Sequence, residues 1–582
     1  MEQKTNNSEK SYKTIGLILE DAFTDYAKDI AHSVSHTIMN MKDMRLIVVA
    51  GRQDNCTDPE DKMHRFKQLY NTIYSMHSKC PFDGLLFTFP NLIGVNENLF
   101  KDIPKVYIAS DKDHKPAVNY DNEMGVREAL DYLIRIKGLT KFCMLGGRDD
   151  NADAQARKNA YSRYLIDEGL EFTEAQYEKT DMSVNSYDAA ARLLARNPDA
   201  QVVFCCNDSV AVGLYDVMRE RGLIPGKDMI VFGFDNADMT GQMMPPLASI
   251  GASGITVGQR ALELLLDMIN GQEVSSVVVP TRLFGRESFE YETYKITSRD
   301  LLSVDSAYIY GFFDDCFYRY NNEVVDPSAI DLRRLFFEII SRMMAGLRNR
   351  YMDEKEIASI SRLIDIFFAN NAMRYTDANK FVRSLSGLQG SMNEIFKGIP
   401  TAAYNNRLIA YMKDKAIQSQ ALAMVMQNKS FSEGREKNFE FMINTINYGR
   451  PGDVGIENVI DNFDRFGFDN AALFLFDEPV ECIAGQTDKM PDNIYLRCVV
   501  KEKNLYMISE DRRECRLSEI YSKTEIPYDR KGFISFPLFY GNYVFGMLVS
   551  HLSRALMDNG DYNSFILGRA LYMNWILSKA NG

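Results

Sequence analysis

Val231-Phe-Gly-Phe-Asp-Asn236 is an apolar, β-rich run that stops abruptly at a carboxylate and an amide. One βα unit earlier, Phe204-Cys-Cys-Asn-Asp208 does the same. In an open α/β sheet the carboxyl ends of the strands border the crevice where ligands bind. Polar groups placed there are the few convergent hydrogen-bonding groups that a small-molecule pocket needs. Together the two motifs predict one wall of a binding cleft.

The sequence around these motifs alternates strands and helices. Strands are expected at 14–19, 46–50, 84–89 and 106–109, with helices at 25–41, 66–76 and 122–137. The rhythm restarts with a strand at 141–145 and a helix at 154–168. It continues with a helix at 186–196, the strand 201–205, a helix at 209–221 and the strand 229–234. A helix at 257–270 and late strands at 276–279 and 282–284 complete it. Such a βαβ rhythm implies a parallel sheet covered on both faces. Two successive α/β halves, the second beginning near residue 140, predict a two-lobed body with a cleft between the lobes and hinge closure around a ligand.

After about Tyr291 the texture becomes helical, with apolar residues at 3–4 spacing over 331–350, 354–370 and 377–388. A long helical stretch follows over 404–428 and resumes over 433–447. Its apolar residues Leu408, Met412, Ile417, Leu422 and Val425 make only a broken heptad. That pattern suits a helix packed on its own domain as well as a dimerising one. Gly449-Arg-Pro-Gly452 marks a boundary. Beyond it a helix at 455–466 precedes strands at 470–476, 505–509, 532–539 and 543–551. The last two are joined by the turn Tyr540-Gly-Asn542, and a helix at 559–578 closes the chain. The expected organisation is a two-lobed α/β body over 13–290, a mainly helical connector over 291–434, and an α+β sensor domain over 435–582.

A chain of 582 residues exceeds one core, and such a length suggests about three to four domains. With 46% hydrophobic and 25% charged residues it has the composition of a globular protein, and its net charge of −13 argues against a dedicated nucleic-acid surface. The segment from Met1 to Lys13 is polar and lacks the apolar core of a secretory signal. No apolar run approaches the ~20 residues of a membrane helix. The nine cysteines show no C-x-x-C pattern and read as reduced thiols. A cytoplasmic location without membrane attachment is expected.

Signals for catalysis are weak. His32-Ser-Val-Ser-His36 has the spacing of two zinc ligands but lacks the glutamate of H-E-x-x-H, so a solvated helix face is the better reading. Gly146-Gly147 follows a strand without a phosphate-loop signature. Cys205-Cys206 reads as small buried hydrophobes, since a reactive thiol needs an electropositive setting. No enzymatic activity, metal or cofactor is expected.

Seven pieces between Lys13 and about Ser288 resemble, in order, the ligand-binding body of the LacI/GalR regulators, which has the type 1 periplasmic-binding-protein fold. They are Ile15-Gly-Leu-Ile-Leu19, the crossing segment Val118-Asn-Tyr-Asp-Asn122 with Gly125 and the helix to Gly138, and 141–147. Ala156-Arg-Lys-Asn-Ala-Tyr161, the two opening motifs and Arg282-Leu-Phe-Gly-Arg-Glu-Ser288 follow. The resemblance implies that Arg157, Asn207 and Asp235 hold ligand hydroxyls. A guanidinium fork, an amide and a carboxylate suit that task. Asn207 and Asp235 could instead cap the helices that follow them, and Asp208 is expected to cap. Asp121, Asp21, Phe23 and Tyr26 are further pocket candidates, the aromatic rings as sugar-stacking faces. The family's DNA-reading headpiece precedes its sensor body. Here about a dozen polar residues precede the first strand, so sequence-specific DNA binding is not implied. Residues 435–582 resemble a GAF-type domain through the strands within Phe536–Leu548 and the flanking helices. LacI-like and GAF-like modules joined by helices resemble the sensory half of bacterial diguanylate cyclases, whose GGDEF sequence is not found here.

The expectation is therefore a homodimeric sensor of a sugar-like small molecule that regulates transcription or second-messenger signalling through lobe closure. The alternatives are a DNA-binding regulator using a non-standard element, with Arg333, Arg334, Arg342, Arg348 and Arg350 as the place to look, or the sensory portion of a cyclase without its catalytic domain.

Overall fold

The computed structural model describes residues 12–53, 61–88, 97–109, 116–252, 254–289, 296–302, 306–318, 320, 330–446, 468, 470–482, 490–502, 504–523 and 531–581. The chain forms two compact units. One comprises Met1–Asp121, Ala252–Pro280 and Glu433–Gly582, and the other Asn122–Gly251 and Thr281–Ser432.

The first unit is built on a 12-stranded sheet. At its centre Lys13–Leu19 pairs in parallel with Met44–Ala50 on one side and Gly84–Thr88 on the other. Ile15, Leu17, Ile18 and Leu19 are all fully buried. An unbroken apolar run of this kind is what a strand covered on both faces requires. Lys105–Ile108, Ala117–Tyr120 and Val277–Val279 extend the sheet beyond Gly84–Thr88, all in parallel. On the other side Gly532–Tyr540 pairs in parallel with Met44–Ala50, with Phe533 opposite Ile47 and Ser535 opposite Val49. The antiparallel strands Tyr543–His551, Ala471–Glu481, Asn493–Lys501 and Asn504–Met507 continue outward from there. The C-terminal strands thus share one sheet with the opening α/β lobe.

A buried polar node lies along this seam. His77 is fully buried, and burial pushes its pKa down to about 4, so the ring is neutral. Nδ1 lies 2.9 Å from the Ile73 carbonyl, which can only accept, so Nδ1 carries the proton and Nε2 accepts from the Tyr521 hydroxyl at 2.8 Å. Ser535 Oγ lies 3.1 Å from the same Nε2. Phe66, Tyr70, Phe539 and Phe565 form an aromatic cluster nearby, with centroids 5.4–6.1 Å apart.

The second unit has a six-stranded sheet in the order Arg282–Phe284, Ala248–Gly251, Ile230–Phe234, Val202–Cys205, Phe142–Gly146, Tyr177–Lys179. Only Arg282–Phe284 runs antiparallel to its neighbour. The same unit contains the helices Leu332–Arg348, Glu354–Ala369, Ala378–Ile395 and the first part of Thr401–Ile446, with a separate core. Phe336, Ile339, Ile340, Met343 and Leu347 recur at helical spacing and are all buried in it. Asp331 and Asp353 cap their helices by accepting from the amides of Arg334 and Glu356.

The structure departs from the sequence expectation in places with physical causes. The expected helix 66–76 is two, Lys62–Tyr70 and Thr72–His77. They divide at Asn71, whose side chain bonds both the amide and the carbonyl of Arg52 at 2.9 Å. The helix expected over 122–137 ends in a π-helical turn, Tyr132–Ile136. The stretches 404–428 and 433–447 are one helix, Thr401–Ile446. Ala117–Tyr120, Tyr177–Lys179, Ala248–Gly251 and Asn493–Lys501 are strands not anticipated. The first three have only three or four residues, too short to display a period. The boundaries at 291 and 449–452 and the helix expected at 455–466 lie outside the described residues.

Candidate functional site

In the second unit the strand Ile230–Phe234 ends in two non-glycine residues with left-handed backbone, Asp235 at φ 103° and Asn236 at φ 51°. Such conformations cost about 1–3 kcal/mol each and persist only where the surroundings over-determine them. Here every amide of the turn is engaged. Asp235 N donates to the Ile250 carbonyl at 2.7 Å, Asn236 N to Ser249 Oγ at 3.0 Å, and Ala237 N to Asp208 Oδ2 at 2.8 Å. Two glycines make room for it. A Cβ on Gly233 would stand 2.2 Å from Asp208 Oδ1, and one on Gly251 would stand 2.9 Å from the Asn236 Cβ.

The turn presents Asp235 to Arg157, on the helix Ala152–Asp167. Arg157 Nη2 lies 3.1 Å from Asp235 Oδ1; the arginine side chain is 4% exposed and the aspartate 41%. The guanidinium also donates from Nη1 to the Cys206 carbonyl at 2.8 Å and from Nε to Asn122 Oδ1 at 3.0 Å. Asn122 in turn donates to Asp153 at 2.7 Å. The Phe234 ring lies 3.6 Å from the guanidinium carbon. Surrounding protein raises the Asp235 pKa, and Arg157 opposes that rise. A buried cation therefore fixes a half-open carboxylate at the end of a strand. An acceptor so placed is preorganised for hydroxyl donors.

Asn207 adopts the capping alternative. Its Oδ1 accepts from Val210 N at 3.0 Å, opening the helix Asp208–Glu220, while Nδ2 donates to the Met182 carbonyl at 3.0 Å. Asp208, expected to cap, does not. It sits one residue inside the helix with its carboxyl buried, accepting from Ser249 Oγ at 2.6 Å and Ala237 N. Burial first, then the Asp235 charge, pushes its pKa from 3.8 to about 8. Between about pH 4 and 8 the folded protein therefore keeps a proton on Asp208 that the unfolded chain has already released. Across that window Asp208 makes stability fall as pH rises, by up to about 1.4 kcal/mol per pH unit. Asp208→Asn, whose Oδ1 can accept from Ala237 N while its Nδ2 donates to Ser249 Oγ, is expected to gain stability over the wild type progressively from pH 5 to pH 8. Urea denaturation at the two pH values checks this, and an unchanged difference between the proteins would refute it.

The remaining candidates lie in the first unit. Asp21, at the end of Lys13–Leu19, accepts from Phe23 N at 3.3 Å and pairs with Arg52 at 3.5 Å. Burial raises its pKa and Arg52 pulls the other way. Arg52 also stacks 4.1 Å from the Phe23 ring centre and pairs with Asp561 of the closing helix Arg554–Asn581. Tyr26 lies 6.1 Å from Tyr120, ring to ring, and both are half-buried. Asp121 is half-buried, its amide donating to the Val279 carbonyl at 2.9 Å.

Residues 130–289 match the family described as a periplasmic binding protein-like domain. The transcriptional repressor PurR of Vibrio cholerae is 28% identical over 197 residues, 33% of this chain and 58% of PurR. The regulator CelR of Thermobifida fusca is 30% identical over 174 residues, 29% of this chain and 51% of CelR. The chain thus spans little more than half the length of these relatives. Catabolite control protein A of Staphylococcus epidermidis is 24% identical over 286 residues, 47% of this chain and 80% of that protein. Among solved structures, the CelR–cellobiose complex is similar at 21% identity and a TM-score of 0.40, covering 47% of this chain and 84% of that one.

Over residues 130–289 the chain is thus similar to periplasmic binding protein-like domains.

Within this region the structure brings Arg157 and Asp235 into contact, while Asn207 caps the helix Asp208–Glu220. Asn122 went unread although it stood at the end of the crossing segment; the sequence reading chose its neighbour Asp121. Asn236 and Arg286 were also missed. Arg286 Nη2 donates to Asn236 Oδ1 at 2.7 Å, its Nε to Asp377 Oδ2 at 2.7 Å, and its Nη1 to the Leu247 carbonyl at 2.9 Å. The signal available was the arginine inside the closing segment Arg282–Ser288. Its acidic partner lies 91 residues away, beyond the reach of a local pattern. Cys205 and Cys206 are buried, and burial pushes the Cys206 thiol up to about 12. Among the described residues, no group of histidine, cysteine, aspartate or glutamate could hold a metal ion, and no helix is long and apolar enough to cross a membrane.

Proposed function

We propose that this chain is a small-molecule sensor that controls transcription, with a polar, sugar-like metabolite accepted on the strand-end surface carrying Asp235 and Arg157. The observation that carries the reading is the buried Arg157 holding a 41% exposed Asp235 on a strained, fully hydrogen-bonded turn. The relatives PurR and CelR are transcriptional regulators by name, which favours transcription over second-messenger signalling as the output.

A second reading, direct DNA contact, is supported by the helix-turn-helix designation of those relatives. The arginine cluster in the helices offers less to it than the sequence suggested. Arg333 is held bidentately by Asp314 and Arg342 by Glu356, leaving Arg334 and Arg350 exposed. A salt-dependent gel shift with the full chain separates the two readings, since counterion release makes DNA affinity fall steeply with salt. A homodimer fits the exposure of Ile417, Leu422 and Val425 on the long helix. The GAF-like reading of the C-terminal segment rests on its antiparallel strands and on the helix Arg554–Asn581 packed against Gly532–Tyr540.

The test is a thermal-shift screen of sugars and sugar phosphates. A ligand that binds only the folded state adds RT ln(1+[L]/Kd) to its stability, about 2.7 kcal/mol at a hundred times Kd. A hit is expected to raise the melting temperature of the wild type and to lose that effect in Asp235→Ala. Equal stabilisation of both proteins would place the ligand elsewhere.

A further inference from the structure

The second unit contains a cavity of about 520 Å³ between the segments 285–287 and 296–299 and the helix Ala378–Ile395. Its volume falls within the range of small-molecule sites. Lys380, Arg383, Ser384, Gly387, Leu388 and Ser391 line it at i, i+3, i+4, i+7, i+8 and i+11, so one face of that helix forms a wall. Ile296, Phe312 and Leu388 supply apolar surface, and buried Arg286 reaches the opposite side.

The charges divide unevenly along the wall. At the end nearer Ala378, Arg286 is neutralised by Asp377, and Lys380 pairs with Asp315 at 3.4 Å. Burial lowers the Arg286 pKa, but Asp377 and Tyr318 more than offset this, so the guanidinium stays charged. Half-buried Arg383, on the same helix face, has no acidic partner among the described residues. At the other end Arg299 and Glu394 both line the cavity, and Glu394 accepts from Ser298 at 3.0 Å; Glu287 is exposed to solvent. One end of an otherwise partly apolar chamber thus has one cation more than its acids neutralise. A Cβ on Gly387, along the same face, meets open space.

We propose that this cavity is a second ligand site, distinct from the Asp235 surface, for a small amphiphilic anion whose charged group sits by Arg383 and Lys380 and whose apolar part lies against Phe312, Ile296 and Leu388. The bound molecule would also touch Arg286, which is hydrogen-bonded to Asn236 beside Asp235. Occupancy of the cavity and the geometry of the strand-end turn therefore share one side chain.

The probe is 8-anilinonaphthalene-1-sulfonate, an aromatic sulfonate that fluoresces on entering an apolar site, titrated into the full chain. Saturable binding at one site per chain is expected. Arg383→Gln should weaken it about tenfold, the scale of one lost charge-assisted hydrogen bond. Gly387→Phe, which places a ring in the open space, should abolish it, with far-UV circular dichroism confirming the fold. Octanoate and phenyl phosphate as competitors distinguish an acyl from an aryl ligand, and displacement by either supports the site. Asp235→Ala should bind the probe as the wild type does, so the outcome is independent of the function proposed above. Absence of saturable binding, equal affinity in Arg383→Gln and Gly387→Phe, or displacement by neither competitor would overturn the proposal.

Discussion

Arg286→Ala is expected to destabilise the second unit by about 3–5 kcal/mol, the usual consequence of removing one partner of a buried ion pair. The arginine is 2% exposed and Asp377 11%, so the carboxylate left behind would be largely buried without its counter-ion. The loss reaches further than one pair. Tyr318 donates to the same Asp377 oxygen at 3.0 Å, the Leu247 carbonyl loses its donor, and Asn236 loses the bond that steadies its left-handed backbone. Arg286→Lys should recover only part of this, because an ammonium cannot serve three acceptors in fixed planar directions. Urea unfolding of the full chain, with both variants beside the wild type, checks the prediction. A change below about 1 kcal/mol for Arg286→Ala would mean that Asp377 finds another partner or is protonated.

Arg157→Ala carries the second large effect, and it divides differently between stability and binding. Asp235 is open enough to be rehydrated when its partner is lost, so the stability loss comes mainly from the Cys206 carbonyl and the Asn122 side chain. Leaving such groups unsatisfied costs about 1–3 kcal/mol. Binding should suffer more. With nothing to hold it, the Asp235 carboxylate loses its preorganised direction, and the affinity of a screening hit should fall about 10- to 100-fold. Arg157→Lys restores the charge without the fork to Asn122 and Cys206, and should recover stability better than affinity. Calorimetric titration of the two variants, with melting temperatures measured alongside, separates the two losses.

Much of this was legible in the sequence because parallel strands buried on both faces are written as unbroken apolar runs. Ile15 to Leu19 and Val231 to Phe234 could be read directly, and the polar residues at their ends marked the candidate site. The division of labour within Arg157, Asn207 and Asp235 could not be read. Capping and ligand contact use the same residue types, and only the geometry shows Asn207 Oδ1 on Val210 N. Asp208 illustrates the same limit. Its carboxyl is turned inward by Ser249, a residue 41 positions away on a four-residue strand too short to show a pattern. The parallel pairing of Gly532–Tyr540 with Met44–Ala50 was equally hidden, because it joins segments nearly five hundred residues apart that each read as an ordinary strand. Local patterns identify elements; which edges meet is decided by non-local packing.

The central claim, that the strand-end turn holding Asp235 is the ligand surface, is tested most directly by calorimetric titration of one screening hit into wild type and Asp235→Asn. The substitution keeps the shape and one acceptor for Arg157 while removing the charge. The account predicts a Kd at least about tenfold weaker in a protein that still unfolds cooperatively. An unchanged Kd in a folded Asp235→Asn protein would contradict it.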